Sequence, residues 1–237
     1  MDEAELEGRL ARVAASEARF IATVESIDES SLAGPSLLPG WTRGHLVAHV
    51  ALNAHSNVNL MNWARTGEET PQYPSGQHRA DDIERFSSRT KSEHLAALRK
   101  AAAMLMDAMR AVPLDRWDFP VRGLGSGPRP ISRYLDGRVN EVEIHHVDLD
   151  AGYDSNDWPE EWVARLLKRL PEVLEDPPRP FSLEPDDLDV VVALGSGPSI
   201  ERVSGPAHAL LKWCIGRSAG DGLGTEGGTI PEVPPWD

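Results

Sequence analysis

The sequence is poor in cysteine, in aromatic side chains and in long apolar runs. Its 237 residues include a single cysteine, Cys214, so the chain can form no internal disulfide and carries no CxxC zinc or redox motif. The start Met1–Glu5 is acidic, where a signal peptide would be basic, and no apolar run is long enough to span a bilayer. We therefore expect a cytoplasmic protein in a reducing compartment, without a membrane partner.

Positive charge is also scarce. The chain has 24 Lys and Arg against 38 Asp and Glu, which gives a net charge of −14 at pH 7. Because this charge opposes a phosphate backbone and no basic cluster reverses it locally, we expect no nucleic-acid partner. What the chain does have is an ordinary 40% of hydrophobic residues, enough length for one or two domains, and eight histidines.

The first part of the chain has a helical pattern. Apolar residues return to one stripe at helical spacing in four stretches, which are separated by segments rich in proline, glycine and polar residues. The predicted helices are Glu3–Ser26, Arg43–Ala64, Ala80–Val112 and Pro130–Ala151. Four long helices joined by loops favour a helical bundle.

The second part has a mixed pattern. A helix is predicted over Glu160–Leu174 and another over Pro206–Ile215, with short β-branched stretches at Leu188–Leu194 and Ser199–Val203 that suggest a pair of strands. Residues 218–237 are rich in glycine and proline and predict an extended tail. The sequence therefore indicates an α+β protein with domains at 1–155 and 156–237.

Histidines and glutamates occur at ligand spacing on two of the predicted helices. His45 and His49 are four residues apart on the second helix, so both lie on one face. The fourth helix carries two glutamate–histidine pairs, which are Glu141 with His145 and Glu143 with His146. The helical period places His145 and His146 about 50° to either side of the apolar stripe and both glutamates about 100° away, so either pair could face the bundle interior.

A metal would compensate a carboxylate buried beside these histidines. Two histidines and one carboxylate favour Zn²⁺, with ferrous iron as the competitor that uses the same ligands. With three protein ligands, the fourth position stays open, as in catalytic sites.

Four segments carry a resemblance to a known family: Leu38–Val50, Gly76–Glu84, Arg138–Asp150 and Trp213–Arg217. They resemble the mycothiol-dependent maleylpyruvate isomerases of the DinB-like/YfiT-like superfamily. The resemblance implies an N-terminal DinB-like four-helix metal-binding bundle followed by a smaller C-terminal α/β domain. It also implies zinc held by His49, Glu141 and His145, and it leaves supporting or structural roles to the other three candidates, His45, Glu143 and His146.

The same resemblance implies a reaction. Family members convert maleylpyruvate to fumarylpyruvate in gentisate degradation with mycothiol as the thiol cofactor. Addition of a thiolate turns the double bond into a single bond that can rotate, and elimination then restores the trans alkene. Zinc would lower the thiol pKa. The external thiol makes Cys214, in an apolar helix, unnecessary as a nucleophile.

The substrate is a dicarboxylate, so the acidic chain needs local positive charge. Arg217 is the leading candidate for a catalytic carboxylate clamp and Arg79 the second, because guanidinium binds carboxylate in a bidentate way. We expect a monomer or weak oligomer. The alternatives are a mycothiol S-transferase acting on other electrophiles and a metal- or thiol-binding module without turnover.

Overall fold

The computed structural model describes residues 1–198 and 201–236. The chain divides into two compact units, Met1–Tyr153 and Asp154–Asp237. The first unit is helical and the second combines helices with a sheet, which confirms the predicted α+β class. Every helix among the described residues is too short or too polar to cross a bilayer.

The first unit contains five α-helices and a small hairpin. The helices are α1 (Glu3–Ser26), α2 (Arg43–Thr66), α3 (Gly76–Ser87), α4 (Lys91–Arg110) and α5 (Arg133–Asp148). The hairpin strands are β1 (Pro120–Arg122) and β2 (Pro128–Pro130), which pair antiparallel. The bundle core combines side chains of α1, α2, α4 and α5, among them Phe20, Leu46, Val50, Leu98 and Val142.

The prediction of one helix over Ala80–Val112 is wrong, because the chain breaks between α3 and α4. Thr90 caps α4: its side chain accepts the Glu93 backbone N–H, and the Glu93 carboxylate accepts the Thr90 backbone N–H. This capping box satisfies two backbone donors and starts a new helix. Its signature, Thr-x-x-Glu, is present in the sequence.

The fourth predicted helix also begins later than expected. Pro130 pairs with Pro120 in the hairpin, so α5 starts at Arg133 and ends at Asp148. The hairpin turn contains Gly125 in a left-handed conformation, with φ 73°. The helix is therefore about two turns shorter than the sequence pattern predicts, with the ligand-bearing stretch inside it.

One glycine allows α2 to pack where it does. A Cβ on Gly44 would lie 2.1 Å from the backbone carbonyl oxygen of Ser87, at the end of α3. Real Cβ atoms do not approach oxygen that closely, so a larger residue would push α3 away from the first turn of α2. This contact fixes α3 beside the segment that carries His45 and His49.

Among its described residues, the second unit contains a four-stranded sheet and two α-helices. Its elements are α6 (Glu160–Val173), β3 (Phe181–Pro185), β4 (Val192–Leu194), β5 (Glu201–Gly205), α7 (Ala207–Cys214) and β6 (Gly224–Thr225). The strand order is β4-β3-β5-β6, with β3 and β5 parallel and the other pairs antiparallel.

The predicted strand pair is wrong in its partners. Strand β4 pairs with β3, a strand that the sequence pattern does not predict. Strand β5 also pairs with β3 and not with β4. Strand β3 ends in a proline, a residue that makes a stretch a weaker strand candidate. Of the predicted strand Ser199–Val203, residues 199 and 200 lie outside the described residues.

Candidate metal centre

Helices α2 and α5 bring His49, Glu141 and His145 together. The His49 Nε2 atom lies 2.6 Å from Glu141 Oε1 and 3.2 Å from His145 Nε2. The His145 Nε2 atom lies 3.7 Å from Glu141 Oε1. One ligand atom from each residue falls within 4.8 Å of the other two, a spacing that could hold a metal ion. These are the three residues that the family resemblance selects from the sequence.

Burial and charge set the protonation of this cluster. Burial lowers the pKa of His49 to about 4, against the opposing effect of Glu141. Burial would raise the pKa of Glu141, but the adjacent His49, His145 and Arg138 outweigh it and hold that pKa well below its ordinary value. Neutral imidazole and ionised carboxylate are the forms of these groups that bind metals.

His45, the neighbouring candidate on α2, lies outside this cluster and contacts other residues. Its Nδ1 atom accepts the backbone N–H of Thr42 at 3.2 Å, and Thr42 in turn caps α2 through the His45 backbone N–H. Its Nε2 atom lies 3.0 Å from a carboxylate oxygen of Glu84 on α3. His45 therefore takes part in the cap of the ligand-bearing helix.

Glu143 and His146 face a different set of side chains. The Glu143 carboxylate is fully buried, accepts the Tyr153 hydroxyl at 2.7 Å, and also bonds to Ser16 and Arg19 of α1. The His146 ring stacks on Tyr153 with ring centroids 3.6 Å apart. Its Nε2 atom lies 2.7 Å from the Thr23 hydroxyl, and burial with the nearby Arg19 lowers its pKa to about 3.

Arg79 lies beside the candidate ligands. Its Nη2 atom is 3.1 Å from His49 Nδ1. Guanidinium has only donors, so this contact makes Nδ1 an acceptor and places the ring hydrogen of His49 on Nε2, toward Glu141. The second arginine candidate of the sequence analysis is thus next to the cluster.

Tyr73 is a neighbour of this cluster that the sequence analysis missed. Its hydroxyl oxygen is shielded from solvent. Burial raises the pKa of Tyr73, against the opposing effects of the Ser56 hydroxyl and of Arg79, while the charge of Glu141 adds to the increase. It lies in the loop between α2 and α3, where nothing in the local sequence marks a functional residue.

That loop is held in place by its neighbour Gln72. The Gln72 side-chain amide donates to Asn57 of α2 at 3.0 Å and accepts the Leu124 backbone N–H at 2.9 Å. The loop is therefore tied to both α2 and the hairpin, which fixes the segment that carries Tyr73.

A buried arginine joins the two ligand-bearing helices one turn away from the cluster. Arg138 of α5, 1% exposed, donates to Asn53 of α2 at 2.8 Å and pairs with Glu17 of α1 at 2.7 Å. Asn53 follows His49 by four residues, and Arg138 precedes Glu141 by three. The sequence shows these polar residues, but only the packing reveals that they meet.

Arg217, the leading arginine candidate, lies in the second unit, in the turn that ends α7. Its backbone N–H bonds to the Lys212 carbonyl at 2.8 Å, and the Gly216 N–H bonds to the Trp213 carbonyl at 3.0 Å. With Gly216 at φ 71°, this is a Schellman motif. The Arg217 guanidinium donates to the Ile215 carbonyl at 3.0 Å.

The neighbouring thiol is inert. Cys214 is fully buried, and burial raises the pKa of its thiol, as expected for a small core residue.

Comparisons with known proteins agree with the family resemblance of the sequence. A family model described as the mycothiol maleylpyruvate isomerase N-terminal domain matches residues 13–150. A crystal structure of the mycothiol-dependent maleylpyruvate isomerase is 31% identical with a TM-score of 0.86, over 98% of this chain and 97% of that chain. A histidine-to-alanine mutant of such an isomerase matches at 30% identity with the same TM-score and coverage. A comparison with curated proteins gives no match.

The family match spans more than half of the chain, and the structural matches span nearly all of it. Both agree with the resemblance carried by the segments around His49, Glu141 and Arg217. The chain therefore belongs to the mycothiol-dependent maleylpyruvate isomerase family.

Proposed function

We propose that this protein is a zinc- and mycothiol-dependent isomerase that converts maleylpyruvate to fumarylpyruvate in gentisate degradation. The observation that carries the proposal is the convergence of His49, Glu141 and His145 within 4.8 Å, in a chain similar over nearly its whole length to mycothiol-dependent maleylpyruvate isomerase structures. The reaction is addition of the mycothiol thiolate to the alkene, rotation about the resulting single bond and elimination. The substrate is neither oxidised nor reduced overall, so the reaction needs no oxidant.

The donor set fits zinc. Two imidazole nitrogens and one carboxylate oxygen form the three-ligand set of catalytic zinc sites, which leave one position open. Their side chains are 3%, 15% and 27% exposed for His49, His145 and Glu141, so the cluster is largely buried but keeps some access to solvent. Zinc at this position would supply a Lewis acid that lowers the pKa of a coordinated thiol to near neutrality.

Two side chains near the cluster are suited to hold the substrate. The Arg79 guanidinium can exchange its contact with His49 for a carboxylate, which binds the planar fork in a bidentate way. The Tyr73 hydroxyl has a hydrogen to donate to the oxygen on which negative charge develops when the thiolate adds. We assign these two residues to binding and charge stabilisation.

We also propose Arg217 as a carboxylate clamp. The Schellman motif fixes its backbone, and the guanidinium donates to the Ile215 carbonyl. An Arg217→Lys substitution keeps the charge but loses the planar fork, and it should raise KM for maleylpyruvate. Unchanged kcat and KM would remove Arg217 from the site.

We also propose a cellular setting, which the same features support. A single buried cysteine and an external thiol cofactor suit the reducing cytoplasm, where we place the protein. We propose that it acts there as a monomer or weak oligomer, on a small dicarboxylate.

An ultraviolet assay of maleylpyruvate tests the function. Protein purified without added metal is analysed for zinc and iron, then assayed with and without mycothiol and after removal of metal by a chelator. We expect about one zinc per chain, turnover that requires mycothiol, and recovery of the chelated enzyme by zinc. Zinc binding without isomerisation, or conjugation of mycothiol to other electrophiles instead, would contradict the proposal.

A further inference from the structure

Asp148 lies behind one of the candidate ligands. Its Oδ2 atom is 2.9 Å from His145 Nδ1, on the side of the ring opposite the nitrogen that faces His49 and Glu141. Both residues belong to the last turns of α5, three positions apart. The Asp148 side chain is 1% exposed, so this contact is shielded from water.

The end of the helix and the burial both act against an ionised carboxylate at this position. The C-terminal end of a helix carries partial negative charge, which repels an acidic side chain in the last turn. Burial adds a desolvation cost. The contact with His145 Nδ1 contributes to offsetting these costs.

From this geometry we propose that Asp148 is a positioning residue, which orients His145 and fixes its tautomer for zinc binding. An ionised carboxylate only accepts hydrogen bonds, so the ring hydrogen lies on Nδ1 and the Nε2 lone pair faces the cluster. The contact also fixes the ring orientation, as carboxylates behind metal-bound histidines do. This inference rests on the proposed function.

The other candidate ligand is set up differently. His49 Nδ1 faces the Arg79 guanidinium, which has no acceptor, and His49 Nε2 faces Glu141 at 2.6 Å. Of the two histidines, His145 is therefore the one whose lone pair already faces the cluster. Asp148 gives the site one preset nitrogen ligand.

The test is the zinc affinity of variants, measured by competition with a chromophoric chelator. Asp148→Asn should weaken zinc binding by about 10- to 100-fold, the range for loss of such a partner. The matched control is Asp136→Asn, on the same helix, where the carboxylate pairs with Arg9 at 2.8 Å. The control should bind zinc within about twofold of wild type, because Asp136 pairs with Arg9 of α1 and is not part of the cluster of candidate ligands.

A double-mutant cycle separates positioning from general stabilisation. In a His145→Ala background, Asp148→Asn should cause no further loss of zinc affinity, because the residue through which Asp148 acts is gone. An equal loss in both backgrounds would overturn the proposal. So would wild-type zinc affinity in the Asp148→Asn variant.

One measurement needs no variant. Nitrogen-15 NMR of the histidine rings in metal-free wild-type protein, at a pH where the rings are neutral, reports the tautomer of His145 directly. We expect the hydrogen on Nδ1; a hydrogen on Nε2 would refute the role of Asp148 even if the variants fail to fold. Wild-type protein that binds no zinc would instead count against the proposed function, so the two failures are distinguishable.

Discussion

Helix α5 carries two glutamate–histidine pairs with opposite surroundings. On the side toward α2, Glu141 and His145 meet a third ligand residue, His49, and their donor atoms converge on one point. On the side toward α1, Glu143 and His146 bond to hydroxyl, guanidinium and phenol groups. The same two residue types thus form a candidate metal centre on one side and a polar core on the other, because the facing helix supplies different partners.

The largest expected difference in zinc binding and activity is between variants of His49 and His146. Replacing His49 with Ala removes the ligand that joins α2 to α5, and should weaken zinc binding more than about 100-fold and abolish isomerisation. Its counterpart, His146→Ala, should keep zinc and activity and lower only the free energy of unfolding. Zinc content and circular dichroism of both variants check this pair; full zinc occupancy in His49→Ala would show that the ligand assignment is wrong.

The two carboxylates sharpen the comparison further. Glu143→Ala leaves the buried Ser16 hydroxyl and the Arg19 guanidinium without their acceptor, and should lower the free energy of unfolding by about 2–3 kcal/mol. This is below the range for a fully buried pair, because Arg19 can reach water. Glu141→Ala should lose zinc, with a smaller loss of metal-free stability.

Urea denaturation of the metal-free proteins measures both changes. The comparison fails if Glu143→Ala loses zinc while Glu141→Ala retains it.

The smallest effect concerns two tyrosines. Tyr73→Phe removes the hydroxyl near the cluster and should lower kcat about tenfold, or more if the phenol carries much of the oxyanion charge. Tyr153→Phe removes a hydrogen bond to Glu143 and should cost about 1 kcal/mol of stability with unchanged kcat. Steady-state kinetics and thermal unfolding of the two variants test this, and equal kcat in Tyr73→Phe and wild type would remove Tyr73 from the mechanism.

The sequence predicts where the helices and strands lie better than it predicts which of them pack or pair with one another. The periodicity of α1 and α2 gives their starts correctly, since both have local caps at Asp2 and Thr42. It fails at Thr90, where a capping box interrupts the helical pattern and starts a new helix. It also fails at β3, whose pairing with β5 is a long-range contact without a local signal.

The choice between the two pairs on α5 has the same limit. Glu141 and Glu143 lie at similar angles to the apolar stripe, so the helical period could not decide which of them meets His49. Family resemblance selected Glu141 and His145, and the packing of α2 against α5 brings them together with His49. The sequence does not mark Tyr73 or Asp148 as functional residues, because the role of each depends on which side chains it faces in the folded protein.

Anomalous X-ray diffraction at the zinc edge, from crystals grown with zinc, tests the central assignment most directly. We predict one strong peak on the α2 side of α5, about 2.0–2.2 Å from the His49 Nε2, His145 Nε2 and Glu141 carboxylate oxygen atoms. A peak at Glu143 and His146, or crystals that bind no zinc near His49, would contradict it.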